Sequence, residues 1–105
     1  MEFVETPIFT AAIRDLIKDD EYRSLQVALL LRPEQGKIIP GTGGLRKVRW
    51  GAKGRGKRGG CRVIYYWDKK QGLFYMLYAY PKGVQDDLTP SQAKVLKKLV
   101  REEFK

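Results

Sequence analysis

The sequence predicts an α+β domain, with two N-terminal helices and one C-terminal helix packed on a small, mostly antiparallel β-sheet. Three observations predict it. Apolar residues recur at helical spacing before Pro33 and after Thr89. Between them lie three β-rich runs, "LRKVRW", "CRVIYYW" and "LFYMLYAY". Glycine-bearing turns separate those runs. Strands grouped together, with helices before and after rather than between them, are the pattern of an α+β fold. A chain of 105 residues is of single-domain size, and no repeat or boundary interrupts it, so residues 1–105 are read as one domain.

Each element has its own local reason. "MEFVE" alternates apolar and acidic residues and reads as a first strand. Thr6 can cap a helix with Pro7 at its first position, where a missing N–H costs nothing. Phe9, Ile13, Leu16 and Ile17 then form one apolar face. "KDDEYRSLQVALLLRP" reads as a second helix: Asp19, Asp20 and Glu21 suit its positive N-terminal end, Tyr22, Leu25 and Leu29 share a side, and Pro33 stops it. "EQGKIIPGTGG" reads as loop by its Gly and Pro content. After it come the three β-rich runs, the last two joined by "DKKQG", a hairpin turn, and the first two by the glycine-rich "GAKGRGKRGG". Thr89-Pro90-Ser91-Gln92 is a capping box opening a last helix, with Ala93, Leu96, Leu99, Val100 and Phe104 on one face.

The formal charge of +9 is concentrated in one place. Residues 1–42 carry five basic and seven acidic side chains, residues 43–62 eight and none, and residues 63–105 eight and five. A block of this density sets up a local field for an anion, and nucleic acid, with its repeating phosphates, is the leading partner. Opposite charges are missing from the block itself, so its cations are expected to repel one another until an anion arrives. Lys47 and Arg49 are two apart on a strand and project side by side.

Several other chemistries are excluded. There is no His and one Cys, so neither a zinc site of any usual type nor a Cys–His nucleophile can be built, and Cys61 reads as a packed strand residue. Gly54, Gly56 and Gly59 match G-x-G-x-x-G, but they lead into a strand rather than a helix, so no helix N-terminus follows to hold a pyrophosphate. "GAKGRGK" begins like a phosphate loop, yet Arg58 stands where a Mg²⁺-binding Ser or Thr is needed. No cofactor is expected. Asp86-Asp87 precedes the capped helix and suits its N-terminus. The N-terminus lacks the basic start and apolar run of a signal peptide, and no apolar run is long enough to span a bilayer, which predicts a cytoplasmic protein with no membrane partner.

Cleaving RNA through its own 2′-OH requires a base for that hydroxyl, stabilisation of the charged phosphorane, and an acid for the departing 5′ oxygen. Arg supplies charge and a two-pronged hydrogen bond but carries protons poorly; Lys and Tyr are the proton carriers available here. The residues supply the parts of a His-free ribonuclease.

Four stretches, "GTGGLRKVRW", "AKGRGKRGGCRVIYYW", "FYMLYAYPKG" and "DLTPSQ", together resemble the HigB branch of the RelE/ParE superfamily, the toxins of type II toxin–antitoxin systems. The resemblance covers nearly the whole chain. It implies a RelE-like fold and a ribosome-dependent, metal-independent mRNA endonuclease that enters the 30S A site and cuts the message. It also implies a helix-turn-helix, HigA-like antitoxin, through which alone the toxin would reach operator DNA. Carried over residue by residue, Lys47 and Arg49 resemble the family's paired basic residues, Arg62 its phosphate-binding arginine, and Lys82 another basic catalytic position. Arg46, Lys53, Arg55, Lys57, Arg58 and Tyr80 are the implied RNA contacts. Some relatives place a Tyr near the start of the final helix for proton transfer, whereas this chain reads "DDLTPSQ", leaving that role to a Lys or to Tyr80. Lys82 replaces what is often Arg and loses the planar fork. Two other readings stay open: a ParE-like toxin poisoning DNA gyrase, and a non-catalytic RNA- or ribosome-binding module.

Overall fold

A computed structural model of the chain describes residues 2–51, 60–83, 85 and 87–103. Among them lie three helices, α1 (Pro7–Leu16), α2 (Asp19–Leu31) and α3 (Pro90–Glu103), and five strands, β1 (Glu2–Glu5), β2 (Lys37–Ile38), β3 (Arg46–Trp50), β4 (Cys61–Asp68) and β5 (Leu73–Pro81). The strands form one sheet in the order β1-β5-β4-β3-β2. Every pairing is antiparallel except β1 with β5. This is the α+β arrangement expected, with one element more: β2 lies in the stretch read as loop. At two residues it is too short to show a period of two, and its pairing with β3 is what makes it a strand.

The sheet has a core on each face. Phe9, Ile13 and Ile17 of the α1 region and Leu25 and Leu29 of α2 bury against Val48, Cys61, Val63, Tyr65, Phe74, Met76 and Ala79. Leu88 and Val100, with Ala93, Leu96 and Leu99 of α3, bury against Leu45, Ile64, Tyr75, Leu77 and Tyr80 on the reverse. The period of two decides which side chain goes where. On β4, Cys61, Val63 and Tyr65 face α1 and α2, while Ile64 faces α3. Cys61 is fully buried, as a packed strand residue should be. Trp50 and Trp67 also pack on the α1/α2 core, Trp50 donating its Nε1–H to the Glu21 carbonyl at 3.0 Å.

Caps fix the helix ends. The Thr6 hydroxyl accepts the Phe9 N–H at 3.0 Å and donates to the Leu77 carbonyl at 2.9 Å, tying the start of α1 to β5. Before α3, Thr89 Oγ1 accepts the Gln92 N–H at 3.1 Å and the Thr89 N–H donates to Gln92 Oε1 at 3.0 Å, the reciprocal pair that the sequence signature predicts. Of the described helices, none is long and apolar enough to cross a membrane.

β5 breaks its own alternation. Tyr65 pairs with Met76 but Ile64 pairs with Tyr78, so Leu77 is an extra residue in the ladder. Leu73, Tyr75 and Leu77 face α3, and after the bulge Tyr78 and Tyr80 face it too. An unbroken strand would have sent Tyr80 to the opposite side.

Candidate active site

The basic side chains of β3 and β4 meet through strand register. Val48 and Trp50 turn toward α1 and α2, so Lys47 and Arg49 turn to the α3 face. Cys61 and Val63 likewise leave Arg62 on that face. Arg49 pairs directly with Arg62, and Arg62 with Tyr80, giving one cross-strand row Arg49–Arg62–Tyr80. Lys47 begins the adjoining row, opposite Ile64. Residues directly opposed in an antiparallel pair have Cβ atoms about 5 Å apart, and like charges there repel. Arg49 and Arg62 are thus held together against their own electrostatics.

Burial differs along the row. Arg62 is 5% exposed and Tyr80 2%, whereas Arg49 is open to solvent. Among the described residues no carboxylate lies within ion-pair distance of Arg62. Arg62, largely buried, opposed to a second arginine and with no described carboxylate in reach, keeps its guanidinium donors available to an anion. The Tyr80 ring packs on Tyr78 with centroids 5.8 Å apart, and its burial makes it a wall of the row rather than an open contact.

Lys82 stands just past β5, exposed, with its N–H directed at the Gly60 carbonyl at 3.4 Å. It marks the end of the row nearest the glycine-rich segment. Gly60 closes that segment with φ +75°, and a Cβ on it would lie 2.1 Å from Gly51 Cα, so β3 and β4 converge there only because residue 60 is glycine. Lys53, Arg55, Lys57 and Arg58, like Gly54, Gly56 and Gly59 of the glycine pattern, lie outside the described residues.

Arg46 is not brought to this row. It faces the other way, where Nη1 donates to the Glu34 and Gly36 carbonyls at 3.0 and 2.8 Å and Nη2 lies 3.9 Å from Glu34 Oε2. Tyr65 serves the same loop: its hydroxyl donates to the Pro33 carbonyl at 2.7 Å and accepts the Gly36 N–H at 3.0 Å. Burial raises the Tyr65 hydroxyl pKa.

The expectation that no opposite charge meets the basic block is overturned. Besides Glu34 at Arg46, Asp87 forms an ion pair with Lys47. Neither acid is a sequence neighbour of its partner, so counting charge within the block could not find them. Asp87, which stands just before the α3 cap as expected, also brings its carboxylate to Lys47, while Asp86 lies outside the described residues. Lys37 is a further cation missed in the sequence. It pairs with Lys47 across β2 and β3 and lines the same depressions beside the row.

Against known families, the model described as "RelE toxin of RelE / RelB toxin-antitoxin system" matches residues 8–105.

Proposed function

Because the chain belongs to the RelE toxin family, the toxins of toxin–antitoxin systems, and so has an antitoxin for partner, we propose that it is a ribosome-dependent mRNA endonuclease of the HigB branch. The observation that carries this reading is the register of Arg49, Arg62 and Tyr80 with Lys47 beside them. Opposed cations, one of them buried, suit a reaction whose charge rises on phosphate, and a gyrase-directed toxin gives them no task.

In the proposed reaction Arg62 and Arg49 hold the non-bridging oxygens of the scissile phosphate. They stabilise the extra negative charge as the 2′ oxygen attacks phosphorus. The 2′-OH gives up its proton, the O2′–P bond forms, the P–O5′ bond breaks, and the 5′ oxygen takes a proton. The products carry a 2′,3′-cyclic phosphate and a 5′-OH. Lys47 and Lys82 are the proton carriers beside the row, and the cations that carry the charge are side chains, so no metal enters. The ribosomal A site presents the mRNA, and a helix-turn-helix antitoxin of the HigA type neutralises the toxin and represses their operon with it.

The test adds the protein to a translating extract and maps new 5′ ends on the message. Cutting of translated but not naked mRNA is expected, and Arg62→Ala and Lys47→Ala should lose it while remaining folded. Growth arrest without new 5′ ends refutes the nuclease reading; full activity in both variants moves the site elsewhere.

A further inference from the structure

Lys37, Lys47 and Asp87 form a group beside the arginine row. Lys37 and Lys47 are directly opposed across β2 and β3, a second like-charge pair adjoining that of Arg49 and Arg62. Both lysines line two neighbouring depressions of about 400 and 380 Å³; Arg49 completes one and Asp87 the other. Asp87 forms an ion pair with Lys47, yet its side chain is 66% exposed, against 20% for Lys47. The backbone bearing it is fixed. Gln85 Nε2 donates to the Asp87 carbonyl at 2.8 Å and to Gln92 Oε1 at 2.9 Å, and Gln92 is locked into the cap of α3. The carboxylate, open to water on its far side, is held at Lys47 by a charge-assisted hydrogen bond from Nζ. Ion pairs so exposed are weak and readily exchanged.

We propose that Lys37 and Lys47 form a second anion subsite, taking a backbone phosphate that flanks the cleaved one, and that the Asp87 carboxylate occupies this subsite until RNA displaces it. The proposal rests on the RNA-directed reading above and names what else of the strand is held. Asp87 neutralises the more exposed like-charge pair, and the Arg49–Arg62 pair is left for the scissile phosphate. A strand entering the site exchanges one anion for another at Lys47, while at Lys37 it displaces solution counterions.

The salt dependence of binding tells these events apart. For single strands each neutralised cation that releases a counterion contributes about 0.7 to the slope of log K against log salt. The probe is a short, mixed-sequence single-stranded oligodeoxynucleotide, which lacks the 2′-OH and is not cut, followed by fluorescence anisotropy from low to moderate salt. Lys37→Ala is expected to weaken binding and flatten the slope by about 0.7. Asp87→Asn should tighten binding about 2- to 5-fold. It should also steepen the slope by up to about 0.7, as a solution counterion replaces the Asp87 carboxylate beside Lys47 and is released by the strand. In a Lys47→Ala background Asp87→Asn should leave the slope unchanged.

Equal effects of Asp87→Asn with and without Lys47 would make Asp87 a merely repulsive surface charge and overturn the proposal. So would an unchanged slope in Lys37→Ala, or no binding by Asp87→Asn at low salt. Thermal melts of each variant confirm the fold. The assay needs neither ribosome nor cleavage, so the nuclease reading and the subsite fail separately.

Discussion

Arg62→Met separates the site from the fold most sharply, because the two make opposite demands at this position. Arg62 lies between Arg49 and Tyr80 in the sheet and is 5% exposed. Two unit charges about 6 Å apart repel by about 0.7 kcal/mol in bulk water and about 2.8 kcal/mol at an effective dielectric constant of about 20. One member of this pair is buried and the other open, so about 1 kcal/mol is a fair figure. Drawing most of Arg62 out of water adds a further cost, and replacing even a buried ion pair by apolar side chains of similar volume is often neutral or stabilising by about 1–4 kcal/mol. Met keeps the length of the stem and adapts to irregular space. We therefore expect Arg62→Met to raise unfolding stability by about 1–2 kcal/mol, read from urea denaturation at unchanged slope. The same variant should lower mRNA cutting in the translating extract by about 100-fold or more, the usual loss when a donor to a developing oxyanion is removed. A stable, fully active Arg62→Met protein removes Arg62 from the chemistry. Destabilisation beyond about 2 kcal/mol would show that the guanidinium holds the sheet together, and the argument from opposed cations would then fail.

Two further predictions concern the strands around the site. Gly60→Ala forces a Cβ to 2.1 Å from Gly51 Cα at φ +75°, and should cost about 2–3 kcal/mol in chemical denaturation; a loss under about 0.5 kcal/mol would mean that β3 and β4 need not converge there. Burial raises the Cys61 thiol from 9.0 to about 11, a rise that nearby Arg62 partly offsets. The unfolded chain loses this proton at lower pH than the folded one, so the stabilisation is complete below about pH 9 and disappears as pH rises to about 11. Between about pH 8 and 11 the wild type should lose about 2 kcal/mol more stability than Cys61→Ala, and parallel pH profiles would refute the assignment.

Much of this architecture was legible from short-range pattern. Phe9, Ile13, Leu25 and Leu29 announce helix faces through their spacing, and Thr89 with Gln92 announces the start of α3, because caps and amphipathic faces are local facts. Lys47, Arg49 and Arg62 were legible for the same reason: a period of two places them on one face once their strands are recognised. What escaped depends on partners distant in sequence. β2 exists only through its pairing with β3, so Lys37 sat hidden in a stretch read as loop. Asp87 reaches Lys47 from 40 residues away. Arg46, one residue from Lys47, shares its charge but belongs to the other face, and density of charge alone could not separate them.

Tyr80 shows why register, more than composition, defines this site. Counted from Leu73, Tyr75 and Leu77, the alternation of β5 would turn Ala79 toward α3 and Tyr80 toward α1 and α2. The extra residue at Leu77 reverses that order, bringing Tyr80 opposite Arg62 while Ala79 fills the α1/α2 core beside Val63. A bulge costs ladder regularity, and a strand needing only to fill two cores has no use for reversing its faces midway. Here the reversal sets a buried aromatic wall beside the largely buried Arg62, lowering the local dielectric and strengthening whatever Arg62 binds. The cations provide the charge; the bulge provides the dry surface against which that charge is worth most.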